Sequence, residues 1–153
     1  MYEDLQKYLQ ERKNLLEGKW ILNSSGYEDD ICRILGMRRE GSRYYDAVWQ
    51  SYYLEFKKGK SIWLDLVRYS EVVLKINPDS LNDTITLFFP HNFDWTKIEN
   101  IVGVQTKKII EKMILNEDIA KAILELKDRV PRSLNAQASL TMNDVKKIAA
   151  FVI

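Results

Sequence analysis

Apolar and polar positions run along the chain with two different periods. Over residues 2–17, Leu5, Tyr8, Leu9, Leu15 and Leu16 recur near i, i+3, i+4. That spacing lines one face of a helix, and Gly18 marks its stop. A second helix is expected from about Tyr27 to Leu35. Ser24, Ser25 and Gly26 precede it, Glu28, Asp29 and Asp30 occupy its first turn, and Gly36 follows it. Acids at the start and glycine at the end suit the helix dipole and the C-cap. Residues 43–57, RYYDAVWQSYYLEFK, are rich in strand formers and predict two short strands with a turn near Gln50–Ser51. Lys58, Gly59 and Lys60 form a solvated break. From Ser61 the spacing predicts a helix, with Ile62, Leu66, Tyr69 and Val73 on one stripe, Trp63, Val67 and Leu74 beside it, and Asn77–Pro78 as its end. Thr84–Phe89 predicts a strand stopped by Pro90, and the stretch from Trp95 to Gln105 fits no single element. Residues 106–129 predict one long helix or two, broken at Pro131, and 132–139 a polar loop. Thr141 with Asp144 predicts an N-terminal cap for a last helix carrying Val145, Ile148 and Val152. No internal repeat or linker interrupts this order, which describes one α/β domain over residues 1–153.

Composition narrows the class. Apolar residues make up 46% and charged residues 29% of the 153, the profile of a soluble globular domain. Lys and Arg number 23 and Asp and Glu 22, a net charge of +1. That excludes a polycation or an acidic tail and, taken alone, weighs against a nucleic-acid partner. With one cysteine, Cys32, and one histidine, His91, no internal disulfide and no thiolate zinc site can form. Cys32, beside Ile31 and Ile34, is expected to be buried, and an intracellular, cytoplasmic location is expected. The first residues show no signal-peptide pattern, and no apolar run approaches the roughly 18 residues of a membrane span.

One constellation carries chemistry. Asp46 stands nine residues before Glu55, and Lys57 stands two after it. Residues two apart on a strand share a face, so Glu55 and Lys57 point the same way and Phe56 the other. Two carboxylates and a lysine beside backbone carbonyls make a hard-oxygen site that suits Mg²⁺. Such an ion stabilises charge on a phosphoryl group, and the lysine orients or deprotonates a water. An isolated Glu-x-Lys triplet on an exposed strand more often serves solvation. Here strand formers separate it from Asp46, and a helix lies on either side.

Residues 39–60, REGSRYYDAVWQSYYLEFKKGK, resemble the PD-(D/E)xK nuclease superfamily, and most of all the small type II restriction endonucleases of the PvuII kind. The resemblance implies a restriction-endonuclease-like core over about 24–90, with a central mixed sheet of about four to five strands flanked by helices. Residues 95–153 would be a helical recognition and dimerisation region. It also implies Asp46 and Glu55 as ligands to Mg²⁺ (with Mn²⁺ substituting), the Phe56 carbonyl as a further ligand and Lys57 as the catalytic lysine. Glu40 matches the acidic residue before the active-site Asp. Tyr45 stands where that family often has proline. Archaeal Holliday-junction resolvases are also similar: Gly41–Ser42 precede Asp46, and Glu28, 18 residues upstream, matches their helix carboxylate. Glu28 equally suits the helix dipole alone.

Charge is uneven. Between Arg38 and Lys60, six cations (Arg38, Arg39, Arg43, Lys57, Lys58, Lys60) accompany three anions (Glu40, Asp46, Glu55). A positive rim around a carboxylate pocket suits double-stranded DNA. Base readout needs polar side chains, and two segments supply them: Gln105, Lys107 and Lys108, and Arg132, Asn135 and Gln137. His91 and Asn92 are further candidates. Trp49, Trp63 and Trp95 are expected as core or interface anchors, and the first and last helices as self-association surfaces of a homodimer or higher homo-oligomer. The expected activity is that of a Mg²⁺-dependent, sequence-specific DNA endonuclease. A homing endonuclease or a junction resolvase of the same fold is the alternative, and a non-catalytic DNA-binding subunit is a third.

Overall fold

The computed structural model describes residues 1–18, 26–58, 61–76, 84–89, 100–129 and 138–153. Lys60, His91, Asn92, Trp95, Arg132, Asn135 and Gln137, and the breaks expected at Pro78, Pro90 and Pro131, lie outside them.

Helix α1 (Glu3–Arg12) runs into a 3-10 turn at Lys13–Leu16, and α2 spans Tyr27–Leu35. Gly36 closes α2 at φ 69°, its N–H on the Cys32 carbonyl, a left-handed cap that glycine adopts without strain. Strands β1 (Arg38–Arg39), β2 (Ala47–Trp49) and β3 (Tyr52–Lys58) form an antiparallel meander, turning at Gln50 as expected. The two-residue β1 has no periodicity and was not foreseen. Next come β4 (Ser61–Leu64), α3 (Leu66–Leu74), β5 (Ile85–Phe89), β6 (Val102–Gln105), α4 (Thr106–Lys112), α5 (Glu117–Leu126), β7 (Ala138–Thr141), α6 (Met142–Lys147) and β8 (Phe151–Val152).

The fold is α+β, with helices around a mixed six-stranded sheet of order β1-β2-β3-β5-β6-β8. This is one strand more than the expected upper count. Among the described strands only β3 and β5 pair in parallel, because α3 lies in the connection between them and brings the chain back in the same direction. One sheet face carries Leu54, Phe56, Ile85, Leu87 and Phe89 against Leu5, Leu9, Leu16, Ile31 and Leu35 of the N-terminal helical layer. The other carries Phe88, Val102 and Val104 against Tyr69 and Val72 of α3, Ile109 of α4 and Val145 of α6. Cys32 is buried in the first cluster, as expected.

Several expectations are corrected. The helix predicted from Ser61 starts at Leu66. Residues 61–64 are a strand that pairs with β7, with Ile62 and Leu64 buried and Trp63 64% exposed. Period-2 burial and a distant partner strand override the helical stripe, and the Asp65 carboxylate caps α3 through the Val67 and Arg68 N–H groups. Trp63 is therefore no core anchor, whereas Trp49 packs partly buried against the first core cluster, as expected, and stacks with Tyr52. The polar loop expected over 132–139 runs into β7 at Ala138. The last helix keeps its Thr141–Asp144 capping box but ends at Lys147, and Val152 belongs to β8. The ambiguous stretch before Gln105 ends in β6, so the C-terminal region, expected as helical, supplies two strands of the central sheet. Residues 106–129 are two helices. Leu5 and Leu9 of α1 and Val145 of α6 lie in the chain's own core, which leaves those apolar residues unavailable for self-association.

Candidate active site

Strand β3 outruns its neighbour β2, and the site forms where the pairing stops. Ala47 pairs with Leu54, and the Asp46 N–H still donates to the Leu54 carbonyl at 2.7 Å. Beyond that point side chains replace the ladder. The Phe56 N–H donates to Asp46 Oδ2 at 2.7 Å, and the Tyr27 hydroxyl, from the first turn of α2, donates to the Phe56 carbonyl at 3.2 Å. The Phe56 ring points into the core, as strand alternation requires.

Glu55 and Lys57 share the opposite face, with Lys57 Nζ 3.6 Å from Glu55 Oε1. Glu55 is 5% exposed. The same oxygen accepts from Arg68 Nη1 at 3.1 Å. Arg68 belongs to α3 and was not singled out in the sequence. Its signal was a cation inside an otherwise apolar helical run, Leu66–Val67–Arg68–Tyr69. Tyr27 and Glu71 were likewise missed. Glu71 is buried, holds Arg43 at 3.3 Å and accepts from the Tyr44 hydroxyl.

The electrostatics follow from burial and crowding. Burial, then the Glu55 charge, pushes the Asp46 carboxyl up from 3.8 to about 6, against the pull of the Phe56 N–H and Arg39. Glu28 adds to the rise. Burial holds Lys57 below the ordinary lysine range; Glu55 opposes this and Arg68 reinforces it. Burial, with the nearby charges of Glu28, Asp46 and Glu55, raises the Tyr27 hydroxyl, which therefore stays a donor. Glu28 is half-buried, and the Gly26 N–H donates to its Oε2 at 3.4 Å.

No protein-family model matches the sequence, and neither does any curated protein. The site therefore has to be read from its own chemistry.

The structure brings Asp46, Glu55, Lys57 and the Phe56 backbone together, with Glu28 close enough for its charge to act on Asp46. It does not bring Gln105 there: that residue lies across β5 from β3, and its amide donates to the Tyr2 hydroxyl at 2.6 Å. Lys107 and Lys108 are exposed on α4, Lys108 within 3.6 Å of Glu111. The described cations of the expected rim have partners. Arg38 meets Glu40 at 2.8 Å, Arg39 meets Asp29 at 2.8 Å, and Lys58 lies over the Tyr27 ring. Arg39 also donates to the Asp46 carbonyl at 2.7 Å and so braces that residue.

The donor set fits a hard divalent ion on one observation: the half-buried Asp46 lies near enough to the buried Glu55 for the Glu55 charge to raise its carboxyl, a repulsion that a cation relieves. Among the described residues no three Asp, Glu, His or Cys side chains form a metal group by themselves. Water or phosphate oxygens would complete the shell, as Mg²⁺ prefers.

Proposed function

We propose that the chain is a Mg²⁺-dependent DNA endonuclease that hydrolyses phosphodiester bonds in double-stranded DNA. The observation that carries this reading is the pair of contacts on β3, Asp46 on the Phe56 N–H at 2.7 Å and Lys57 on Glu55 at 3.6 Å. The resemblance of residues 39–60 to small type II restriction endonucleases supports it. Asp46, Glu55 and the Phe56 carbonyl would hold Mg²⁺, with Mn²⁺ substituting. When bound, the ion stabilises charge on the phosphoryl oxygens and acidifies a water.

The chain's own groups do the remaining work. The Phe56 N–H fixes one Asp46 oxygen, and Tyr27 fixes the Phe56 carbonyl. Lys57 gives up a proton more readily than an ordinary lysine, because burial disfavours its charged form. It orients the attacking water and takes its proton. Cleavage of both strands calls for two such sites, and a twofold homodimer is the simplest arrangement.

A digest of plasmid and phage DNA with Mg²⁺ tests the reading. Discrete fragments identify a sequence-specific restriction enzyme, one rare cut a homing enzyme, and cleavage confined to four-way junctions a resolvase. DNA binding without cleavage identifies a non-catalytic subunit. On the nuclease reading, Asp46→Ala and Lys57→Ala abolish cleavage and leave DNA binding largely intact. A Lys57→Ala protein that cuts at the parent rate refutes the assignment.

A further inference from the structure

Glu55 presents one oxygen to two cations. Arg68 Nη1 lies 3.1 Å and Lys57 Nζ 3.6 Å from Oε1. The Arg68 side chain is 12% exposed. The fold holds it firmly. Asp65 caps α3 and accepts from the Arg68 backbone N–H at 3.1 Å. The guanidinium lies over the Tyr69 ring, 4.9 Å from its centre, and Nη1 also donates to the Arg43 carbonyl at 3.4 Å. Arg68 Nη2 is buried without a hydrogen-bond partner.

Such an arginine is costly to bury, and it gives Glu55 a second cation, nearer than Lys57. Its effect is on the balance of the whole site. Asp46, Glu55, Glu28 and Asp29 bring four negative charges. Lys57, Lys58 and Arg39 bring three positive ones, and Arg68 brings the fourth. Without Arg68 the cluster carries an excess negative charge, the condition under which carboxylate sites bind divalent cations tightly. With it, the metal-free cluster is balanced, and an incoming cation meets a fixed positive charge on one of its ligands.

We propose that Arg68 is a positioning residue that acts as a built-in counter-ion of Glu55: it keeps the carboxylate ordered when no divalent cation is bound, and it weakens the site's hold on that cation. This rests on the reading of Asp46 and Glu55 as metal ligands. The consequence is an enzyme that carries little metal at rest and whose cation demand is set by a residue outside the metal shell.

The test titrates Mg²⁺ alone, without DNA, into the full chain and into Arg68→Met, Arg68→Gln and Arg68→Lys, following heat of binding and the shift in Tm. Arg68→Met and Arg68→Gln are expected to bind Mg²⁺ at least tenfold more tightly than the parent, and Arg68→Lys within threefold of it. Metal-free Arg68→Met should melt below the parent, with the gap closing as Mg²⁺ saturates. Arg68→Gln keeps a donor for Glu55 and carries the test should the Met variant not fold. Equal or weaker Mg²⁺ binding by the neutral variants overturns this inference and leaves the metal site standing. No Mg²⁺ binding by any of the four proteins overturns both.

Discussion

Replacing Asp46 by Asn should stabilise the metal-free protein at neutral pH, although it removes the central carboxylate of the site. The carboxyl is raised from 3.8 to about 6, first by burial and then by the Glu55 charge. A tenfold change in proton affinity corresponds to about 1.4 kcal/mol, so the ionised form costs on the order of 3 kcal/mol above pH 6. Asparagine avoids that cost and still accepts the Phe56 N–H. Its NH₂ group then meets the guanidinium of Arg39, 3.7 Å from the present Oδ1, so a net gain of roughly 1–2 kcal/mol is expected. The sign with pH is fixed by linkage. Between 3.8 and 6 the folded protein holds a proton that the unfolded chain has released, so the parent loses stability as pH rises through this window. The deficit is fully present above about 6 and absent below about 4. Urea unfolding of both proteins from pH 4 to 8 in EDTA measures the difference, which cancels the titrating groups that do not interact with residue 46. A difference that does not vary with pH, or an Asn variant less stable than the parent at pH 7.5, refutes the reasoning. On the nuclease reading, adding Mg²⁺ at pH 7.5 should reverse the order, because only the parent keeps both carboxylates for the cation.

Two further substitutions test the fold around the site. Gly103→Ala would place a Cβ 2.2 Å from the Phe151 ring, where β8 pairs with β6; a loss of about 2 kcal/mol or more in chemical denaturation is expected, largely recovered in Gly103→Ala with Phe151→Leu. Ile114→Gly should raise stability by roughly 1 kcal/mol, because Ile114 is a β-branched residue at φ 59° and 73% exposed at the end of α4; a thermal melt that shows no gain rejects that account.

Most of what positions the site was legible in local sequence. The acids and glycine that bound α2, the strand formers on either side of Gln50–Ser51 and the two-residue step from Glu55 to Lys57 each act over a few residues, and the structure follows them. What was not legible depended on distant partners. Residues 61–64 extend because β7, more than seventy residues later, pairs with them. Val152 leaves the last helix because β6 offers an edge. Arg68 joins Glu55 only because α3 crosses over the sheet, and no spacing rule links positions 55 and 68. The same holds for Tyr27, whose hydroxyl reaches a backbone carbonyl 29 residues away.

The near-zero net charge also has a local cause. Among the described cations expected to face DNA, Arg38, Arg39, Arg43 and Lys108 stand beside carboxylates, and the pairs are not equivalent. Arg38–Glu40 and Lys108–Glu111 are largely exposed, and such pairs are worth about 0–1 kcal/mol. A phosphate can take either cation at little cost. Arg43 is different, because its partner Glu71 is buried, and withdrawing the guanidinium would leave a charge in a poorly solvated place. Arg39 is tied to Asp29 and to the Asp46 carbonyl together, so moving it would disturb the site it braces. On the nuclease reading, DNA therefore gains its cations by exchange at the outer pairs, while Arg39, Arg43 and Arg68 stay as internal scaffolding. A balanced composition is what that division of labour produces, and it carries no weight against a polyanionic partner.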